Sequence, residues 1–290
     1  MASIQAENLF NVKDMVFVIT GGGSGIGAMM AKSLDANGAA KVYIIGRRLE
    51  KLQEVTNQAI NKSIIPIKGD VSLKESLAEC AARVASETPF VNVVIANSGS
   101  QGPTVNELPK DGSLSLAEFH EFLWKPTYSE FNETFEINST AMFFTMVAFL
   151  PLLDAGNNHK SSPTSATGVK SQFIITGSIS SHSRRPAMGF AYSASKAAAG
   201  LMMRQISTMM APYHIRANII NPGIYPSDMS AVNGSKLGSL DASIVPATRT
   251  GTDEDMAGAT LFLCSRAGSY INGLVLNTDG GRLAIVPATY

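Results

Sequence analysis

The strongest constraint on this chain is a regular alternation of short, continuously apolar runs with segments of helical period. Met15–Thr20, Val42–Gly46, Ile64–Gly69, Val91–Ala96, Phe173–Thr176, Ile215–Ile220 and Leu274–Asn277 each read as a strand. A strand with one wet face alternates apolar and polar residues; these do not, so both of their faces are expected to be covered. Between them Ala28–Asn37, Leu49–Ile60, Leu73–Ser86 and Asp253–Ser265 carry helical spacing. The pattern predicts an α/β fold: a doubly wound Rossmann-type parallel sheet of about seven strands, flanked by helices. With 290 residues, 45% of them apolar and only 16% charged, the chain can bury a large core. No repeat or composition break divides it, so residues 1–290 are expected to form a single domain.

Three stretches interrupt the rhythm. Ser100–Ser129 is a long, partly polar insert holding Trp124, and Asp154–Gln172 reads as an exposed loop. Residues 225–250 form a second insertion, with Met229, Val232, Leu237, Leu240, Ile244 and Val245 among small polar residues, as in a lid with an apolar underside. A formal net charge of zero gives no pull toward nucleic acid or an acidic membrane. Cys80 and Cys264 show neither metal-ligand spacing nor a disulfide framework, and no metal site is expected. Met1 to Lys13 lacks a secretory pattern, and the greasiest stretch, Ala141 to Leu153, is too short to cross a bilayer. A reduced, cytoplasmic enzyme is the expectation.

The first strand runs into Thr20-Gly21-Gly22-Gly23-Ser24-Gly25-Ile26-Gly27, which opens the first helix. Glycines let the backbone turn tightly and approach a pyrophosphate, whose charge meets the amides at the helix start. A glycine-rich turn alone is weak evidence; its place between strand and helix gives it weight. The second strand ends in Gly46-Arg47-Arg48, where a site for NAD usually carries an acidic residue. Arginine suits the 2′-phosphate of NADP instead, with Arg47 the better candidate and Arg48 the second. The plainer alternative makes both arginines solvated helix-starting residues. Asp70, followed by Val71 at the end of the third strand, could accept from an adenine amino group.

Tyr192-Ser193-Ala194-Ser195-Lys196 puts a phenol and an ammonium on one helix face. An unperturbed phenol titrates near pH 10. A lysine cation about 5 Å away favours the phenolate by roughly 3 kcal/mol, about two pKa units. The pair is thus a plausible acid–base device, although Tyr-x-x-x-Lys by itself is common.

The ordered set Thr-Gly-x-x-x-Gly-x-Gly, Asn138, Ser178 and Tyr-x-x-x-Lys resembles the short-chain dehydrogenases/reductases. The likeness runs from Val12 to about Arg282 and takes in Ala96-Asn97-Ser98-Gly99, Asn221-Pro222-Gly223 and Thr278-Asp279-Gly280-Gly281. It implies that Tyr192 exchanges a proton with the substrate oxygen, and that Ser178 binds that oxygen. Lys196 would hold the nicotinamide ribose and lower the tyrosine pKa, and Asn138 would hold a relay water. Cofactor contacts are implied for Gly21, Gly23, Ser24, Gly25, Ile26, Gly27, Asn97, Gly99, Pro222, Gly223, Ile224 and Ser227. Helices carrying Asn138 and Tyr192 commonly pair in this family, implying a homodimer or homotetramer. Two departures bear on the site. Ala96 stands where the family usually has asparagine, and Ser178 lies one residue further from Tyr192 than usual, which leaves Ser180 and Ser181 as alternatives.

The resemblance extends to a fungal branch similar to 3-oxoacyl-carrier-protein reductases, many of which act in secondary metabolism. The expected reaction is NADPH-dependent reduction of a bulky, mostly apolar ketone to an alcohol. An NAD-dependent alcohol dehydrogenase is the first alternative; a recruited scaffold guiding a cyclisation with little redox chemistry is the second. His182, Arg184 and Arg185 could touch an acidic or carrier-bound substrate, or simply form a solvated loop. Trp124, Tyr128 and Phe131 could cover the substrate, or only pack the insert.

Overall fold

The computed structural model describes residues 4–109, 113–186, 188–227 and 238–289, with side chains for all of these except 165 and 166. The strands are β1 (Val16–Thr20), β2 (Lys41–Gly46), β3 (Ile64–Lys68), β4 (Val93–Ala96), β5 (Gln172–Thr176), β6 (Arg216–Pro222) and β7 (Val275–Thr278). Among the described residues they build one seven-stranded sheet in the order β3-β2-β1-β4-β5-β6-β7, parallel throughout. All seven expected strands are present, each with its ends within about two residues.

The unbroken apolar runs have a simple cause. In β1, Phe17 and Ile19 enter a core with α2 (Gly25–Ala36) and α10 (Asp253–Cys264), while Val16 and Val18 enter a second core on the other face. That second core also receives Cys80 and Val84 of α4 (Lys74–Glu87), Met146 and Phe149 of α7 (Ala141–Asn158), and Ala199 and Met203 of α9 (Phe190–Met209). Each fully buried side chain of this size contributes roughly 1.5–3 kcal/mol of transfer free energy. Helix α3 (Leu49–Asn57) adds Leu52 and Val55 to the first core. A short α1 (Ala6–Leu9) precedes β1.

The insert after β4 is more ordered than a polar loop. It contains α5 (Leu116–Trp124) and α6 (Tyr128–Phe135), and each starts with a reciprocal capping box, Ser115 with Glu118 and Thr127 with Glu130. These Ser/Thr-x-x-Glu pairs satisfy the first orphan amides of short helices that bury little. Helix α6 runs through a π turn, Glu136–Thr140, into α7. The continuous helix Tyr128–Asn158 spans 31 residues and is, by length and composition alone, long and apolar enough to cross a membrane. Here Met142, Met146, Phe149 and Leu153 pack into the sheet core.

The stretch expected as an exposed loop after Asp154 is also corrected. Helix α7 continues to Asn158, a single turn α8 (Thr164–Thr167) follows, and Ser162 is only 3% exposed. Its hydroxyl donates to the Gly156 carbonyl (2.6 Å) and accepts from Asn92 Nδ2 (3.0 Å). Polar composition suggested solvent, but these polar groups satisfy one another.

Candidate active site

In a doubly wound sheet the crevice opens where the chain reverses its winding, at the carboxyl ends of the strands. Here that point lies between β1 and β4, where Thr20 sits level with Ala96. A cleft of about 890 Å³ begins there. Every site residue expected from the sequence lines it except Gly27 and Asn138.

The sharp start of α2 depends on two glycines for different reasons. Gly25 has φ +52°, a left-handed conformation that side chains resist. Gly27 is helical, but a Cβ there would lie 2.3 Å from the Gly21 carbonyl oxygen and 2.4 Å from Asn97 Nδ2. The first turn of α2 carries no acidic side chain, so its amides meet no competing charge from their own helix. Arg47, Arg48 and Lys51 line the same end of the cleft, and both arginines are exposed. Asp70 lines it too, with one carboxylate oxygen held by the Ser72 amide (3.0 Å) and hydroxyl (2.8 Å). A glycine cradle, a helix start without an acidic side chain and a group of cations together fit a nicotinamide dinucleotide.

Asn97 ties three strand ends together. Its Nδ2 donates to the Gly21 carbonyl (3.0 Å), and its Oδ1 accepts from Thr176 Oγ1 (2.9 Å). The Asn97 and Ser98 amides both donate to Thr20 Oγ1, at 3.1 and 3.2 Å. Thr20 thus supplies one acceptor oxygen beside Ala96, which carries no polar side chain.

The catalytic candidates converge at the end of β5. Ser178 lines the cleft with Tyr192 and acts to lower the phenol's pKa, while its Oγ accepts from the Ser180 amide (3.1 Å). Ser181 turns its hydroxyl to the Ser178 carbonyl (2.7 Å) and does not line the cleft, whereas Ser178 and Ser180 do. Lys196 Nζ donates to the Thr176 carbonyl (2.8 Å) and stands 6.0 Å from the Tyr192 ring centroid. Both side chains are buried, 8% and 5% exposed.

Burial dominates the electrostatics of this pair. It pushes the Tyr192 phenol above its ordinary value, with only Ser178 acting the other way. The same desolvation brings the Lys196 ammonium down to about 8. Lys196 is not among the groups that act on the phenol, whose pKa direction is set by its removal from water.

Asn138 occupies the π turn, a local widening often found at functional sites. Its Nδ2 donates to the Ser100 carbonyl (2.8 Å) and Ser195 Oγ (3.0 Å), and its Oδ1 accepts from the Ser100 amide (2.8 Å). Ser195 was not singled out from the sequence, yet it bridges Asn138 to the Tyr192 carbonyl through its own hydroxyl (2.8 Å). Its position beside Lys196 was the available signal. The cleft also takes in Ile244 of the expected lid, together with Asn106, Met188 and Arg282, which had no assigned role.

Other expectations fall away from the cleft. His182, Arg184, Arg185, Trp124, Tyr128 and Phe131 do not line it. Trp124 is 79% exposed and stacks on His120, while Phe131 stacks on Phe135. Pro222, Gly223, Ile224 and Ser227 do line it. Of the expected lid, Met229, Val232 and Leu237 lie outside the described residues.

A dinucleotide crevice with a buried tyrosine–lysine–serine group at its base defines a nicotinamide-dependent oxidoreductase fold. A family model described as Enoyl-(Acyl carrier protein) reductase matches residues 21–282. The chain belongs to the short-chain dehydrogenase/reductase family. It is 42% identical to the short-chain dehydrogenase/reductase PhomF of Diaporthe leptostromiformis, covering 99% of this chain and 98% of that one. It is 36% identical to VdtF of Byssochlamys spectabilis, with 99% of both chains covered. The structure of the Pseudomonas aeruginosa RhlG/NADP active-site complex superposes with a TM-score of 0.76 at 25% identity, covering 94% of this chain and 97% of that one.

Proposed function

We propose that this protein reduces a ketone to an alcohol with NADPH, acting on a bulky, mostly apolar small molecule of secondary metabolism. The observation that carries the reading is the gathering of buried Ser178, Tyr192 and Lys196 in the same cleft as the glycine cradle and Arg47. NADPH would be held by the Gly21–Gly27 turn, Arg47, Arg48, Asp70 and Lys196, and supplies the hydride. Arg47 or Arg48 would grip the 2′-phosphate through paired N–H groups.

The chain's own groups handle the proton. A phenol kept neutral by burial is still an acid near pH 7, ready to give its proton to a developing alkoxide. Ser178 donates a hydrogen bond that holds the carbonyl oxygen beside that phenol. Lys196, with its pKa near 8, can hand a proton on to the tyrosine at neutral pH. With both side-chain groups of Asn138 engaged, any water it holds for a relay would sit on its main-chain carbonyl.

Apolar cleft residues Ile137, Met188, Ile224, Tyr225 and Ile244 support a greasy substrate body. Exposed Phe143 and Val147 on α7, with Phe190 and Leu201 on α9, support a homodimer or homotetramer. A cytoplasmic location is part of the same reading.

Fluorescence titration of the purified protein with NADPH and NADH at one ionic strength tests the cofactor assignment. NADPH should bind at least about tenfold tighter, roughly 1.4 kcal/mol, and Arg47→Ala should erase most of the difference. Equal affinities would shift the reading to an NAD-dependent alcohol dehydrogenase. Binding of neither would leave a non-redox scaffold.

A further inference from the structure

The cleft that holds Tyr192 and Ser178 also holds a cation with no assigned partner. Arg282 lines it together with Met188, Tyr225 and Ile244. It is only partly exposed, and one edge of its guanidinium is fixed, because Nη1 donates to the Ile244 carbonyl at 2.6 Å.

Arg282 is tied to the catalytic end of the cleft by the chain terminus. Ser183 and Ala288 form an antiparallel bridge, the Arg184 amide donates to the Pro287 carbonyl (2.7 Å), and the Thr289 amide donates to the His182 carbonyl (2.8 Å). The tail that begins at Arg282 is thereby pinned to the loop that follows Ser178. Among the described residues no carboxylate lies within ion-pair distance of Arg282. The nearest acidic influence, Asp279, has both oxygens committed, Oδ1 to the Gly281 amide (3.0 Å) and Oδ2 to the Leu283 amide (2.8 Å). The other charge acting on Arg282 is the like charge of Arg185. Glu133 and Glu136 line the cleft from the α6 side and are not among the groups that act on it.

A half-buried guanidinium next to a second cation, facing a substrate cleft and lacking an acidic partner, is an incomplete interaction. We propose that Arg282 anchors a carboxylate on the substrate, so that the molecule reduced here is a keto acid: an apolar ketone bearing one carboxylate. This rests on the reading that the cleft reduces ketones. One planar fork, with one edge already held by Ile244, suits a monoanionic carboxylate. The apolar cleft residues then contact the body of the molecule while the ketone reaches Tyr192 and Ser178.

The test uses 4-benzoylbutyrate and its neutral methyl ester, titrated calorimetrically into the protein saturated with NADP+. The acid should bind at least about tenfold tighter than the ester, in line with a hydrogen bond to a charged group. Arg282→Gln should remove that preference and Arg282→Lys should keep part of it, with NADPH affinity reporting that each variant is folded. Equal binding of acid and ester, no binding of the acid, or an acid preference that survives in Arg282→Gln would each overturn the proposal. Turnover of both compounds with NADPH is followed in parallel. An Arg282-dependent acid preference without any turnover would uphold the carboxylate site and strike the ketone-reduction reading instead.

Discussion

Replacing a helical glycine with alanine should have opposite effects at two places in this fold. Gly258 lies inside α10, and a Cβ there meets nothing within 4 Å. Alanine relieves the backbone entropy cost of glycine in a helix, so Gly258→Ala should stabilise by roughly 0.5–1 kcal/mol. Gly27 lies inside α2 and would gain the same increment. Its Cβ, however, would press at 2.3 Å on the Gly21 carbonyl oxygen and at 2.4 Å on Asn97 Nδ2, the two atoms that hydrogen-bond each other. Neither is a free side-chain end: one is backbone, and the other is held at both ends by Gly21 and Thr176. Overpacking costs about 1–3 kcal/mol, and loss of the Asn97–Gly21 bond adds roughly 1 kcal/mol. Set against the helix gain, Gly27→Ala should come out destabilised by about 1–3 kcal/mol. Urea unfolding of both variants beside the parent protein, followed by circular dichroism, reads the two signs directly. A Gly27→Ala protein as stable as the Gly258→Ala one would refute the argument that close approach, rather than flexibility, requires glycine at position 27.

Two further outcomes follow from the buried group at the end of β5. Ser178→Ala removes a hydroxyl that shares the cleft with the Tyr192 phenol and should lower kcat on the order of 10²-fold, whereas Ser181→Ala should change it little; steady-state rates with NADPH distinguish them. Lys196 has a folded pKa near 8 against 10.5 unperturbed, so the folded state binds fewer protons than the unfolded state between those values. Stability should therefore rise with pH across that window, by on the order of 3 kcal/mol relative to Lys196→Met, which lacks the group. Chemical unfolding of both proteins from pH 7 to 10.5 checks the sign, and a flat difference would mean that the lysine is not desolvated.

The architecture was legible in the sequence because strands buried on both faces are written as unbroken apolar runs. Phe17 and Ile19 serve one core and Val16 and Val18 the other, so no polar residue is tolerated between them. Motif spacing also carried the cleft, since Gly21, Asn97 and Ser178 follow strand ends that the sheet order brings together, and Tyr192 lies at the start of the α-helix after β5. What composition misjudged were polar segments whose groups satisfy one another. Ser162 and Asn92 sit buried together, and Ser115 and Thr127 start helices where a loop was expected. Arg282 escaped notice for a different reason: its place depends on the tail pairing with the loop after Ser178, a contact between distant segments that no local pattern encodes. Helical spacing places Lys196 near Tyr192, but only the packed structure shows that both have left water.

The central claim is that Tyr192 gives the proton in an NADPH-driven carbonyl reduction. It is tested most directly with NADPH deuterated at the transferring C4 position, 4-benzoylbutyrate as the ketone, and mass analysis of the product in a single turnover. The account predicts one deuterium on the carbinol carbon with the parent protein. For Tyr192→Phe it predicts unchanged NADPH binding and a rate lower by on the order of 10²–10⁴. Undiminished deuterium transfer by the phenylalanine variant, or an alcohol product without deuterium, would contradict it.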